Sequence, residues 1–153
     1  MKLMTRLIVF LLFVALSGCG SVRTQTHEVS GTTAERIAGV SRVIQSHTDL
    51  PSKIADARLI ELQIGDGQLG PSDFRSFVWI KVSPDDIAKW KSVLQAAPAH
   101  SPIYDSPATK PTWWIPQAQF IKQLKLDPHP IFNRHGWLTI DEDGNIYALT
   151  YTQ

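Results

Sequence analysis

The spacing of apolar residues changes along this chain, and each change predicts an element. An unbroken apolar run covers Leu7 to Leu16. Gly20 to Gly31 is polar, rich in Ser and Thr, and has no period, which reads as a flexible tether, the alternative being an ordered edge strand. Ile37, Val40, Val43 and Ile44 then recur on one helical face, with Glu35, Arg36 and Arg42 off it, which predicts a helix from about Thr33 to His47. Thr32 and Glu35 have capping-box spacing at its start, and Asp49-Leu50-Pro51-Ser52 breaks it. Ile60, Leu62 and Ile64 alternate with Glu61 and Gln63, as in a strand from Ala57 to Ile64. The turn-rich Gly65 to Pro71 leads to a second strand, Phe74 to Val82. Val78, Ile80 and Val82 take one side of it, and Phe77 and Trp79 the other, beside Arg75 and Lys81. Such a strand is either central and covered or carries an exposed aromatic patch.

Ser83-Pro84-Asp85-Asp86 is a helix start: Ser83 can cap, Pro84 suits the first helical position, and two acids favour the positive end of the dipole. Ile87, Trp90 and Leu94 form the buried stripe of that helix. Ala96 to Thr112 is irregular, with Pro98, Pro102, Pro107 and Pro111, and long structureless loops in small domains are often functional. It leads into Trp113-Trp114 and then Pro116, which opens a short helix carrying Phe120, Ile121 and Leu124. After a second irregular stretch, Asp127 to Gly136, strands at Trp137–Asp141 and Ile146–Thr152 flank Asp143-Gly144, a two-residue turn signal. That turn places Ile140 opposite Tyr147 and Leu138 opposite Leu149, on one face that Tyr151 extends. The order α-β-β-α-(α)-β-β suggests an α+β fold, an antiparallel sheet of about four strands with two or three helices on one face.

The N-terminal run changes this picture. Lys2 and Arg6 precede it, and the small residues Ser17 and Gly18 follow, which is the three-part layout of a secretory signal. Its length is about half of the roughly 20 residues that span a bilayer. The run ends in Leu16-Ser17-Gly18-Cys19, which holds the chain's one cysteine. At these residues the chain resembles a bacterial lipoprotein precursor, whose lipobox ends in Leu, a small residue, Gly or Ala, then Cys. The resemblance implies diacylglycerol on the Cys19 sulfur, cleavage between Gly18 and Cys19, and a palmitate-type acyl group on the new N-terminus. Gly20 stands where the family's inner-membrane retention signal carries Asp, so the resemblance implies the outer membrane, on its periplasmic face. One acyl chain holds only marginally and two or more hold stably. The division expected is 1–18 signal peptide, 19–31 tether and 32–153 one domain, since removing 18 of 153 residues leaves 135, which suits one core.

Charge and cysteine usage narrow the function. The precursor is +1; losing Lys2 and Arg6 takes its 15 basic residues to 13, against 14 acidic ones. No basic block is left, which disfavours nucleic acid as a partner. A lipidated Cys19 leaves no thiol for a disulfide, a Cys-rich zinc site or a cluster, so the only expected prosthetic group is the covalent lipid.

Candidate chemistry is sparse. The glycines of 65–70 fit neither the P-loop nor the dinucleotide fingerprint. Asp85 and Asp86 are explained by capping. His129 and His135, six apart with no carboxylate at ligand spacing, are a weak metal signal, and Asp141 to Asn145 lacks the glycine position and closing Glu of a calcium loop. No G-x-S-x-G or H-E-x-x-H occurs, so no catalytic residue or metal ligand is named. The candidate partner-binding residues are Trp79, Trp113, Trp114, Arg134 and His135. Adjacent residues on an extended segment point opposite ways, so one of Trp113 and Trp114 can be buried while the other anchors a partner, unless both close the core. Arg134-His135 can pair with a carboxylate or phosphate. The expectation is a non-catalytic protein-interaction module held on the envelope. The alternatives are a peptidoglycan or glycan binder or hydrolase, with a groove between the Pro-rich loop and Arg134-His135, and an inhibitor or immunity protein against a toxin.

Overall fold

In the computed structural model, residues 24–44, 49–65, 71–97 and 102–152 are described. Cys19, Gly18 and the rest of the signal lie outside them. Five strands, β1 (Thr24–Val29), β2 (Asp56–Ile64), β3 (Asp73–Lys81), β4 (His135–Ile140) and β5 (Asn145–Tyr151), form one antiparallel sheet in the order β1-β2-β3-β5-β4. The helices are α1 (Thr33–Ser41), α2 (Ile87–Ser92, entered through a 3-10 turn at Pro84–Asp86), α3 (Gln117–Lys122) and α4 (His129–Phe132).

The α+β antiparallel class stands, with one strand more than expected. The added strand is β1, inside the segment read as a tether, where Thr24 to Val29 pair with Ile64 to Leu59. Its first five residues are exposed and only Val29 turns inward. A polar edge strand has no apolar alternation to display, and polar residues there discourage further edge pairing. That is why composition alone made it look unstructured.

Covers lie on both faces of the sheet, not on one. The reason is β3, which sits between β2 and β5 and is apolar on both sides. Ala57, Leu59, Val78, Ile80, Ile146, Ala148, Leu138 and Ile140 make the first face, roofed by Val40 of α1, Trp90 of α2, and Ile131 and Phe132 of α4. Ile60, Phe77, Tyr147, Leu149 and Trp137 make the second, roofed by Trp114, Ile115 and Phe120 of α3. Each buried side chain of this size contributes roughly 1.5–3 kcal/mol of transfer free energy, so neither face can be left to water.

The capping box of α1 forms as its spacing predicts: Glu35 N–H donates to Thr32 Oγ1 at 3.3 Å and Thr32 N–H to Glu35 Oε2 at 2.7 Å. The helix is shorter than expected, ending at Ser41, and 45–48 lie outside the described residues. Arg36 departs most from expectation, being buried and paired with Asp56. Ser83 occupies the cap position but its side chain makes no capping bond.

The last hairpin pairs one residue away from the expected register, with Ile140 opposite Ile146 and Leu138 opposite Ala148. Asp141 is the cause. Its Oδ1 accepts from Asp143 N–H at 3.0 Å and Asn145 N–H at 2.8 Å, and its Oδ2 from Asn145 Nδ2 at 2.8 Å. The carboxylate thus fixes a three-residue loop closed by Gly144 at φ +81, a common alternative to the two-residue turn. A slip of one residue exchanges the faces, so Tyr147, Leu149 and Tyr151 join the second face rather than that of Ile140.

Burial on that face, with Asp141 and Asp143 nearby, pushes the Tyr147 hydroxyl from 10.0 up to about 12. The folded chain therefore favours the neutral phenol. This stabilisation is complete below about pH 10, the unfolded value, and is lost as pH rises towards 12. Tyr147→Phe should flatten the fall in stability over that window in urea titrations; an unchanged slope would locate the alkaline loss elsewhere.

Candidate functional site

The loop between α2 and α3 is where the second core meets solvent, and three aromatic donors hold it there. Trp137 Nε1 donates to the Ile103 carbonyl at 3.1 Å, Tyr104 Oη to the Ile115 carbonyl at 3.0 Å, and Trp114 Nε1 to the Asp105 carbonyl at 3.0 Å. Burial raises the Tyr104 hydroxyl above its ordinary range, a bond with Ser106 opposes this, and the Asp105 charge adds to the rise. Buried indoles and phenols need polar partners, and here backbone carbonyls of the Pro-rich segment supply them. The consequence is local: Ile103 is held 84 % exposed on a pinned backbone.

Between this segment and β4 lies an open groove of about 940 Å³. Trp137, Leu149 and Tyr104 give it an apolar wall, and Arg75, Asp105, Asp127, His129, His135 and Tyr151 a polar one. Arg75 Nη1 meets Asp105 Oδ2 at 2.7 Å, with both side chains well exposed, so the pair adds little stability and is open to exchange with a ligand. Asp127 Oδ1 accepts the His129 backbone N–H at 2.9 Å. The His135 and Tyr151 rings stack at 6.1 Å and 28°, which follows from their pairing across β4 and β5. Gly136 beside them has φ +135, and a Cβ there would fall on the Leu149 carbonyl oxygen. Only glycine lets the strand lie this close to β5.

Chemically the groove has walls of mixed character. Among the described residues neither imidazole is hydrogen-bonded to a carboxylate or hydroxyl, the pairing that general base or nucleophilic chemistry uses. No set of three or more His, Cys, Asp or Glu among them is placed to hold a metal ion.

The residues singled out from the sequence are dispersed. Trp114 is core, edge-on to Phe77 at 5.3 Å and Tyr147 at 6.1 Å. Trp113 is half-buried, packed edge-on against Trp114 at 5.9 Å. Trp79 is half-buried on the same face, with Nε1 3.3 Å from Asn145 Oδ1. Trp113 and Trp114 roof the second face and Trp79, on β3, is part of that face, so the three do not form an exposed patch. Arg134, just before β4, and His135, its first residue, point to opposite sides. Arg134 turns inward and is spent within the chain, donating to Ser76 Oγ at 2.8 Å and Glu61 Oε1 at 3.1 Å. His135 alone reaches the groove. The sequence marked the groove's two banks, the Pro-rich loop and the His135 stretch, but not Arg75, Asp105, Asp127 or Tyr151. The strand pairing that brings Arg75, Tyr151 and His135 into one row has no signature in any single segment.

Compared with protein-family models, curated proteins and solved structures, the chain finds no match.

Proposed function

We propose that the chain is a lipoprotein of the bacterial envelope, anchored through acyl chains on Cys19 to the periplasmic face of the outer membrane, and that it acts as a non-catalytic module that binds an envelope protein. The lipobox Leu16-Ser17-Gly18-Cys19 supports the anchor. The observation that carries the binding role is the pinned, outward Ile103 at the rim of the groove. An aliphatic side chain held in water by a fixed backbone costs little further ordering when a partner covers it. A second reading, a glycan strand of peptidoglycan in the same groove, is favoured by the stacked His135–Tyr151 platform beside Arg75 and Asp127.

Labelled palmitate should enter the wild-type chain and not Cys19→Ser. Pull-downs from detergent-solubilised envelopes with Cys19 intact should then recover a protein that Ile103→Asp loses. Recovery of murein alone, unaffected by Ile103→Asp, would overturn the protein-partner reading in favour of the glycan.

A further inference from the structure

The sheet has two ends of unlike character. Thr24 opens β1 at one of them, and because every pairing is antiparallel the same end carries Ile64, Asp73, His135 and Tyr151. Three of the exposed large apolar side chains gather on the second face at this end: Ile64 at 39 %, Tyr151 at 38 % and Ile103 at 84 %. The groove opens there as well. The far end carries the hairpin loop with Asp141, Glu142 and Asp143, against which Lys81 lies, its Nζ donating to the Asp143 carbonyl at 2.7 Å. Eight residue steps of β3, about 26 Å, separate the two ends.

We infer that the end bearing Thr24, Ile64 and Tyr151 rests on the bilayer that holds the Cys19 lipids, with Ile64 and Tyr151 in its headgroup layer and Ile103, at the groove rim, just above it and open to the partner. The inference depends on the lipid anchor proposed above and adds an orientation to it. Chain length is the first argument. Cys19 is five residues before Thr24, so at full extension about 17 Å separates the lipidated residue from the sheet. The second is chemical fit. Tyrosine and aliphatic side chains favour the membrane interface. The surface taken up is thus the phospholipid leaflet, and the groove mouth faces along it.

The test uses the full lipidated protein in vesicles of phosphatidylethanolamine and phosphatidylglycerol. With the Cys19 sulfur acylated, a cysteine introduced by Ile64→Cys, Ile103→Cys, Tyr151→Cys or Glu142→Cys is the one thiol open to a fluorophore. All four positions are exposed, so folding should tolerate the label. Nitroxide-bearing lipids should quench labels at 64, 103 and 151 several-fold more strongly than at 142. Equal quenching at 142, in protein that carries the lipid and floats with the vesicles, would overturn the orientation while leaving the anchor intact. Protein without a sulfur-linked lipid by mass, which fails to float, would remove the anchor and the orientation together.

Discussion

Trp114→Ala should cost about 4 kcal/mol, the range found when a fully packed indole is removed from a core. Stabilities of whole domains run to only about 5–15 kcal/mol, so a large part of the margin against unfolding would go. Trp114 is 6 % exposed and lies against four aromatic rings, Phe77, Trp113, Trp137 and Tyr147, at 5.3–6.1 Å. It also holds the Asp105 carbonyl, so its loss should free the Pro-rich segment as well as open a cavity. Trp113→Ala, beside it but half-exposed to water, should cost about 1 kcal/mol, because truncation there leaves little void. Urea unfolding of both variants on a Cys19→Ser background measures the difference. Equal losses would mean that Trp114 is not the keystone of the second face.

Arg36→Met should cost about 3 kcal/mol, as expected when one partner of a largely buried pair is removed. The guanidinium is 9 % exposed. Its Nη2 meets Asp56 Oδ1 at 2.6 Å, Asp56 Oδ2 at 2.7 Å and Thr33 Oγ1 at 3.0 Å, and its Nε meets the Ala57 carbonyl at 3.2 Å. One side chain thus fastens α1 to the start of β2. Burial alone would raise the Asp56 carboxyl; the bonds from Arg36 and Ala57 N–H and the charges of Arg36 and Arg58 outweigh it and leave the group below its ordinary value. A carboxyl depressed by folding stabilises in full above its unfolded value, near 3.8, and that share is lost as pH falls through the folded value. Arg36→Met should therefore blunt acid unfolding below about pH 4 as well as lower stability at neutrality. A variant as acid-sensitive as the wild type would assign that sensitivity to another carboxylate.

These two residues also mark where the sequence was legible. Helical spacing and the capping box placed α1, alternation placed β2 and β3, and a two-sided apolar strand implied a covered centre. Arg36 stands off the apolar stripe in sequence, yet it is buried, because Asp56, twenty residues on, pairs with it. β1 was legible only as the alternative to a tether, because an edge strand needs no apolar face. The register of the last hairpin turned on Asp141 reaching three backbone and side-chain donors, which no dipeptide rule contains. The groove was half readable: its banks are irregular, proline-rich segments, and its floor is assembled by pairing between distant strands.

The place of β1 at the edge has a mechanical consequence. If the chain is pulled at Thr24 along the strand axis while the rest of the domain is held, the force enters β1 at its first residue. The ladder bonds to β2 stand across that axis, and the six residue pairs from Thr24 to Val29 are loaded together in shear instead of being peeled apart in turn. A strand with almost no apolar side chain can in this way serve as the strap by which the domain withstands tension applied at its N-terminal end.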